Sequence, residues 1–420
     1  MFFHERELMM KKVVLSGVFV LATASVWASG FGLYEASAPT YALGGAVLGR
    51  AHDASANFHN PATLTDLTNI TVTAGFMTEH PRAQIEGVQG GRPFGSRSMN
   101  SGCYLLPHFH VAVPLPWDFA FGLGVMPEYG LGSKYDDSWP LNYGSVETEV
   151  TSFTVNPNLA CKLTEKLSVA GGLRFLFWDF EQYSHPYSYR GGYHINNRLK
   201  GDNGMTDFGY QVGLKYDLLK SLSVGLVYKS LTVCHVEGKS ETGGYVSTPY
   251  GPVSQVRRSA AEATLEMPQS LTGGFNWDVT DAWHVGGYVG WTQWSTISQV
   301  PFLFGDGSSQ ICAFNWKDTW RVGIAPSWDF AEGWKWMVSY VFESDCASRQ
   351  YSTMLPPSNR HMISTGFAWN CWAGLEIALT YGMILMDGLE SHVSKSVPED
   401  TYRAYRGISH ATGLTLTYRF

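Results

Sequence analysis

Residues 167–177 read Leu-Ser-Val-Ala-Gly-Gly-Leu-Arg-Phe-Leu-Phe, and apolar residues fall on every second position of most of this stretch. Successive side chains of a β-strand point to opposite faces, so the stretch has one apolar face and one mixed face. The same alternation recurs at residues 70–76, 222–229 and 375–381. The pattern predicts an all-β protein, either a soluble β-sandwich or a transmembrane β-barrel.

The N-terminus has the pattern of a secretory leader. Lys11 and Lys12 precede a short apolar run at 13–24, and Val26-Trp27-Ala28 suits a signal peptidase. We predict a signal peptide over residues 1–28, with residues 1–9 as an upstream extension. No later segment reaches the ~20 consecutive apolar residues of a spanning helix. Only helices and closed barrels satisfy all backbone polar groups in lipid, so a membrane form of this chain is a barrel.

The composition excludes several classes of protein. The chain has 420 residues, 15% of them charged, and a net charge of -7, which argues against a nucleic-acid-binding or disordered protein. The sequence predicts no metal site, no cofactor and no redox motif, since the cysteines are far apart and form no CxxC pair. Their spacing leaves disulfide pairing open and favours small unpaired residues; they are Cys103, Cys161, Cys234, Cys312, Cys346 and Cys371.

The alternating segments can be counted. They give an even number, as bacterial barrels require: 69–78, 102–115, 117–131, 145–163, 166–184, 204–219, 221–237, 259–280, 282–300, 310–330, 333–346, 359–371, 373–387 and 408–420. The sequence therefore predicts a 14-stranded antiparallel barrel over residues 69–420.

Short and long connections alternate between these segments. Outer-membrane barrels have short periplasmic turns and long external loops, so both chain ends are predicted to be periplasmic in a Gram-negative-type outer membrane. The tight turns are expected near residues 116, 164, 219, 280, 331 and 370. The long loops are expected at 79–101, 132–144, 185–203, 238–258, 301–309, 347–358 and 388–407.

The register predicts which face meets lipid. Arg or Lys on the lipid face near the bilayer midplane costs about 2–4 kcal/mol, so Arg174 and Lys229 should face the lumen. Tryptophans are expected at the headgroup level: Trp277, Trp283, Trp328, Trp334, Trp336, Trp369 and Trp372. The terminal aromatic Phe420 is similar to the signal that bacterial barrel assembly machinery reads. The expected partners are therefore that machinery, outer-membrane lipids and lipopolysaccharide, with a monomeric barrel.

Residues 29–68 precede the first predicted strand and are rich in small and apolar residues. A 14-stranded barrel is too wide to be filled by its own side chains, whereas about eight strands would fill it. We therefore predict that this segment is a hatch inside the barrel. A periplasmic linker is the alternative, but a linker would be more polar.

A set of short motifs resembles the FadL-type long-chain fatty-acid transporters, a family that also covers aromatic-hydrocarbon uptake channels. The resemblance runs in family order across the mature chain: Ser29-Gly30-Phe31-Gly32-Leu33, Gly49-Arg50-Ala51, Asn60-Pro61-Ala62, Tyr129-Gly130-Leu131, and the stretches at 267–271, 291–295, 316–321 and 355–360. It implies an outer-membrane channel that captures a hydrophobic ligand in its lumen, moves its hatch and releases the ligand sideways beside a kinked third strand.

The resemblance also assigns residues. Ser29, Gly30 and Phe31 would reach into the ligand pocket, and Asn60-Pro61-Ala62 would lie by the kink, although Asn-Pro is also an ordinary turn start. Pro127 cannot donate to a strand ladder, and nearby glycines weaken the strand further. The predicted kink and lateral exit involve Pro127, Tyr129, Gly130 and Gly132.

One departure from the family concerns the ligand carboxylate. Family members known for fatty acids hold it with basic residues, yet the corresponding stretches here, 183–185 and 311–313, contain no Lys or Arg. His185, Arg190 and Lys317 are the candidate substitutes. A buried carboxylate without a partner is costly, so small hydrophobic molecules in general are the expected ligands.

Two other functions compete with passive uptake. Ser409-His410, with His108 and His110, could suggest a barrel-embedded lipid hydrolase, but no spaced motif supplies a nucleophile, base and orienting group, and we predict no catalytic residue and no enzyme. A general porin for polar solutes would need an open, charged constriction, which the apolar 29–68 segment argues against.

Overall fold

The computed structural model describes residues 30–100, 102–185, 195–201, 205–248 and 251–420. The predicted signal peptide, Ser29 and Arg190 lie outside these ranges. Within them the chain forms a closed antiparallel barrel with a few short helices, which confirms the predicted fold class.

Twenty-two strand segments build the described barrel. They are β1 (Thr71–Gln89), β2 (Arg92–Asn100), β3 (Tyr104–Leu115), β4 (Phe119–Met126), β5 (Gly130–Lys134), β6 (Glu147–Lys162), β7 (Leu167–Ser184), β8 (Ile195–Gly201), β9 (Met205–Leu219), β10 (Leu222–Lys229), β11 (Thr232–Thr248), β12 (Gly251–Met267), β13 (Ser270–Asp278), β14 (Trp283–Thr292), β15 (Gln299–Phe304), β16 (Ser309–Ala313), β17 (Thr319–Ala331), β18 (Trp334–Glu343), β19 (Ser358–Trp372), β20 (Leu375–Gly388), β21 (Ser391–Ser394) and β22 (Val397–Arg419).

These segments form 14 barrel strands because several strands are interrupted. The third strand, for example, consists of β4 and β5, and the seventh of β10 and β11. The barrel closes between its first and last strands, where Thr71 pairs with Arg419 and the ladder continues to Val88 opposite Thr401. Closure pairs the first strand with the last, so the described sheet does not end in two free terminal strands.

The two faces of each strand follow the sequence alternation. On β7, Leu173 is 47% exposed on the outer surface, whereas the side chain of Arg174 is only 3% exposed in the interior. Lys229 also points inward, with 15% side-chain exposure, so both predictions of a luminal cation are confirmed. The tryptophans expected at the headgroup level all have outward, exposed rings, including Trp277, Trp328 and Trp372.

Several of the predicted long loops are wrong because strands run through them: β8 lies within 185–203, and β15 reaches Phe304 within 301–309. Residues 79–89 continue β1, residues 238–258 lie mostly in the β11–β12 hairpin, and β22 already begins at Val397. These extensions project beyond the apolar band, where neither face of a strand has to be apolar. The two-residue alternation that marks a membrane strand is therefore lost there. The last tight turn also lies at residues 373–374, after Cys371, rather than at 370–371.

Residues 30–67, called the luminal segment below, lie inside the barrel. This segment contains the helices Ala38–Ala42 and Ala56–His59 and the 3-10 helix Pro61–Asp66. Its backbone is bonded to the wall on several sides: the N–H of Ala38 donates to Thr415 Oγ1 at 2.8 Å, and Asn276 Nδ2 donates to the carbonyl of Ala46 at 2.9 Å. These bonds hold the segment against opposite parts of the barrel.

No helix in the described ranges is long and apolar enough to cross a membrane. All six cysteines are free. Cys234 and Cys346 are buried, as expected of small core residues, whereas Cys103 is exposed.

Candidate functional site

The third barrel strand is interrupted at residues 127–129. The ladder between β3 and β4 runs from Phe109 to Leu115, and β5 pairs with β6, from Gly130 opposite Thr151 to Lys134 opposite Glu147. Within the described residues, no ladder joins the outer half of β3 to β5. The interruption therefore includes Pro127 and Tyr129 of the predicted kink and ends at Gly130, where β5 begins, whereas Gly132 lies within the β5–β6 ladder.

The first residues of the luminal segment replace part of the lost ladder. The N–H of Leu33 donates to the carbonyl of Glu128 at 2.8 Å, and the N–H of Gly130 donates to the carbonyl of Phe31 at 2.7 Å. On the other side, Ser152 Oγ of β6 accepts from the N–H of Tyr129 at 2.9 Å and donates to its carbonyl at 2.7 Å. The interruption is thus a bonded feature of the wall, since buried backbone groups must find partners.

An apolar pocket lies directly inside the interruption. Its side chains pack closely and leave a free cavity of only about 20 Å³. Every lining side chain is apolar: Phe31, Leu131, Val150, Trp178, Phe180, Val236, Leu265, Ile297, Val300, Phe302, Phe314, Trp316 and Met354. The composition suits a small hydrophobic molecule, which would enter only when the lining side chains move apart.

Phe31 closes the inner end of this pocket. Its ring contacts three other rings edge-on, with centroid distances of 5.1 Å to Trp294, 5.6 Å to Trp316 and 6.0 Å to Tyr129. The preceding Gly30 has a φ of 60° and lies against the Trp294 indole, where a Cβ would collide with the ring. A glycine is therefore required for the chain to bring Phe31 to this position.

A polar chamber lies on the other side of Phe31 and Trp294. Its lining includes Glu128 from the interruption, Arg174 from β7 and Lys229 from β10. Arg174 Nη2 donates to Glu128 Oε1 at 2.7 Å, and Lys229 Nζ lies 3.3 Å from the same oxygen. Lys229 also stands 3.3 Å from the ring centroid of Phe58 in the luminal segment, a cation–π contact.

A larger vestibule lies towards the long loops. Its lining mixes Gln182, Ser240 and Lys395 with apolar residues, and it shares Phe302 and Met354 with the apolar pocket. The two spaces are therefore adjacent.

The predicted hatch residues separate into two groups. Gly30 and Phe31 lie at the pocket and at the interruption. Asn60 lies elsewhere: its side chain caps the 3-10 helix through the N–H of Ala62 at 3.1 Å and donates to the carbonyl of Leu214 on β9 at 3.0 Å. The structure thus places Asn60-Pro61-Ala62 against the β9 wall rather than beside the third-strand kink.

The candidate carboxylate partners do not line the apolar pocket. Lys317 Nζ lies 3.4 Å from Asp345 Oδ2, and His185 Nε2 lies 3.7 Å from Asp137 Oδ1. Both are thus already placed beside carboxylates of the protein, and Arg190 is outside the described residues.

Other site residues were not predicted. Trp294 and Trp316 had been noted only as parts of motifs. Trp178 and Phe180 were read as ordinary strand residues, and Phe302 as part of the long loop at 301–309. Glu128 was missed as well, although an acidic residue between Pro127 and Tyr129 in a membrane strand is a signal that could have identified it, because such a charge needs buried partners.

The residues of the hydrolase alternative are not assembled. Ser409 Oγ points inward and donates to Glu79 Oε2 at 3.2 Å, whereas His410 Nδ1 bonds to the Tyr381 hydroxyl on the outer face at 2.8 Å. As neighbours on a strand they face opposite sides, so no serine–histidine pair can form. His108 Nε2 bonds to Thr415 Oγ1 at 2.9 Å.

A closed barrel with an occupied lumen and an apolar pocket beside a wall opening defines a class of outer-membrane channel. The comparison of sequences agrees: residues 19–420 match the family described as "Outer membrane protein transport protein (OMPP1/FadL/TodX)", and the chain belongs to this family. Its members are transporters and channels for hydrophobic compounds, so the predictions of an outer-membrane location and of a protein that is not an enzyme are confirmed.

Individual relatives are distant in sequence. The chain is 22% identical to the long-chain fatty acid transport protein of Escherichia coli K12, covering 88% of this chain and 91% of that protein. It is also 22% identical to outer membrane protein P1 of Haemophilus influenzae, with 97% and 98% covered.

Solved structures share the fold. A Pseudomonas aeruginosa FadL homologue superposes with a TM-score of 0.81 at 16% identity, covering 93% of this chain and 100% of that one. The Pseudomonas putida toluene transporter TodX gives a TM-score of 0.73 at 15% identity, with 93% and 99% covered.

Proposed function

We propose that this protein is a channel for the passive uptake of small hydrophobic molecules across the outer membrane. The apolar pocket that lies beside the interrupted third strand carries the proposal, because it places a hydrophobic ligand next to an opening in the wall. Residues 29–68 act as the hatch, and residues 1–28 are the signal peptide.

The proposed route has three stages. A ligand enters the vestibule below the long loops and partitions into the apolar pocket through the shared side chains Phe302 and Met354. It then displaces Phe31 and the residues bonded to the kink, and it leaves sideways into the membrane past Gly130. Lateral release keeps the ligand in an apolar environment. This is favourable because exposing the apolar surface of the ligand to water would cost free energy.

The pocket favours uncharged ligands over ionised carboxylates. Among the described residues, no Lys, Arg or His lines it, and nearby cations are engaged: Lys317 with Asp345 at 3.4 Å and Arg321 with Glu343 at 3.6 Å. A carboxylate buried there would be unpaired, which costs several kcal/mol. Hydrocarbons, and fatty acids in their protonated form, fit this environment better.

Uptake into liposomes tests the proposal. Purified protein is reconstituted, and entry of labelled toluene, oleate and a disaccharide is measured with empty liposomes as the baseline. We expect protein-dependent entry of toluene, slower entry of oleate that increases as the pH falls, and no entry of the sugar. Sugar flux at porin rates would overturn the proposal, as would toluene entry no faster than into empty liposomes.

A hydrolase would give a different result in the same experiment. Lipolysis of labelled phospholipid in the liposome membrane would appear as released fatty acid. We expect none, since Ser409 and His410 lie on opposite faces of β22.

A further inference from the structure

The outside of the barrel carries two arginines where the first and last strands meet. The first is Arg82 of β1, which pairs with Ile408 of β22. Both residues face away from the lumen, because their neighbours along the strands, Ala83 and Ser409, are buried inside the barrel. The Arg82 side chain is exposed on this outer face.

The second arginine, Arg406, stands in a β-bulge. β1 has one residue between Arg82 and Gln84, whereas β22 has two residues between the partners of these positions, Ile408 and Tyr405. Arg406 is one of the two, and a bulge of this kind re-aims a side chain. Its guanidinium carbon lies 5.9 Å from the ring centroid of Tyr405, whose ladder partner faces outward. Arg406 therefore shares the outer face with Arg82.

The backbone of Arg406 is strained. Its φ of 52° lies in the left-handed region, which glycine adopts freely and other residues rarely adopt. A residue held in such a conformation is a reason to look for a use of its side chain. At this position glycine would relieve the strain but would remove the guanidinium.

Both arginines lie close to the outer border of the apolar band. The outward face of β20 is mainly apolar from Leu379, which is 58% exposed, to Leu385, and the next outward residue is Asp387. Leu385 pairs with Ile408, which in turn pairs with Arg82. The cost of a lipid-facing arginine falls steeply from the midplane towards the interface. The two arginines are thus at the level of the lipid headgroups of the outer leaflet.

The outward acidic residues next to these arginines already have partners. Glu86 of β1 is paired with Arg403 of β22, and Asp387 Oδ2 lies 3.1 Å from His361 Nε2. In the described part of the chain, the two guanidinium groups therefore have no carboxylate that matches them. An anion from the surroundings can bind there without displacing an ion pair of the protein.

We propose that Arg82 and Arg406 form a binding site for the phosphate groups of lipid A, the membrane anchor of lipopolysaccharide in the outer leaflet. The planar guanidinium group matches the oxygens of a phosphate in a bidentate geometry, and clustered basic residues at a membrane surface bind anionic headgroups. His80 and His410 lie opposite each other one pair nearer the bilayer centre, so ring nitrogens border the site. The site is outside the barrel wall and does not depend on the ligand that passes through the lumen.

Binding of fluorescent bisphosphoryl lipid A to the purified protein in detergent tests the proposal. We expect the double variant Arg82→Gln, Arg406→Gln to bind at least about fivefold more weakly than the parent. Dephosphorylated lipid A should bind equally to both. Arg258→Gln is the matched control, because it removes an arginine that is 76% exposed and paired with Glu241 at 2.8 Å on the β11–β12 hairpin. It should bind like the parent.

Arg406→Gly separates binding from folding. Glycine takes the left-handed conformation without strain, so this variant should unfold at about the same guanidinium concentration as the parent. Its affinity for bisphosphoryl lipid A should nevertheless fall at least about twofold, because one guanidinium is lost.

Three results would overturn the proposal. The first is an affinity equal to that of the parent in Arg406→Gly and in the double variant. The second is an equal loss with dephosphorylated lipid A, which would mean that the phosphates are not the groups recognised. The third is a parent affinity for phosphatidylglycerol equal to that for bisphosphoryl lipid A, because the arginines would then bind any anionic lipid.

Discussion

Phe31 is the residue whose replacement tests the proposed route most sharply. In Phe31→Ala the three edge-on contacts with Trp294, Trp316 and Tyr129 are lost. Each aromatic pair contributes about 0.5–1.5 kcal/mol, so roughly 2–4 kcal/mol of the docking free energy of residues 30–33 disappears. The remaining ties are the N–H of Gly30 to Cys346 Sγ at 3.0 Å and two backbone bonds to the kink, each contributing about 1 kcal/mol.

The loss of these contacts changes how often residues 30–33 are docked at the pocket. A change of 2–4 kcal/mol shifts the balance between docked and undocked N-terminal residues by roughly 30- to 700-fold. The apolar pocket then stays open towards the polar chamber and the gap. We expect faster entry of toluene into proteoliposomes at low concentration and weaker binding of a fluorescent hydrophobic probe, with the barrel still folded.

Two control variants separate an effect on the closing of the pocket by Phe31 from an effect on folding. Phe76→Ala removes an aromatic ring from the lipid-facing side of β1, where Phe76 is 40% exposed, and should change neither uptake nor binding. Phe31→Leu keeps a large apolar side chain, so its toluene uptake and probe binding should lie between those of the parent and those of Phe31→Ala. Uptake and probe binding in Phe31→Ala equal to those of the parent would refute the idea that Phe31 closes the pocket.

Three further outcomes are expected. Gly130→Leu should slow toluene uptake while the folded barrel keeps its heat-shifted mobility in gels, because a bulky side chain enters the gap; parent-like uptake would argue against lateral release. Leu226→Lys, on the outer face where Leu226 is 42% exposed, should lower the free energy of unfolding in guanidinium by about 2–4 kcal/mol, whereas Leu226→Met should change it little. Burial holds the pKa of His59 in the luminal segment well below its usual value. The packed segment therefore binds fewer protons than the released one, and its stability, fully present above about pH 6.5, should fall as the pH drops below that value. Hydrogen exchange at residues 52–66 measures this, and His59→Asn should reduce the dependence.

Much of the barrel was predictable because its strands have a simple physical requirement. A membrane strand must be apolar on one face, so the alternation around Leu173 and Leu226 marks both its existence and its register. Beyond the lipid this requirement ends. The outer part of β1 and the start of β22, which lie in solvent, were consequently mistaken for loops.

The candidate site was predictable only in part. The resemblance of Tyr129-Gly130-Leu131 to the family motif indicated the interrupted strand, for which Pro127 and the nearby glycines supply a physical reason, and the family motif also indicated Phe31. The position of Asn60 was not predictable, because a short turn motif does not say which strand of a wide barrel it will pack against; the structure gives β9.

The sequence by itself determined the strands, their lipid-facing sides, the inward direction of Arg174 and Lys229 and the membership of a transporter family. All of these follow from local periodicity and from motifs in order along the chain. Only the tertiary structure decided that Phe31, Trp178, Phe302 and Trp316 line one pocket, and that Glu128 binds Arg174 and Lys229. Barrel closure brings residues from distant strands into one lumen, and the identity of such neighbours is not encoded in any local pattern.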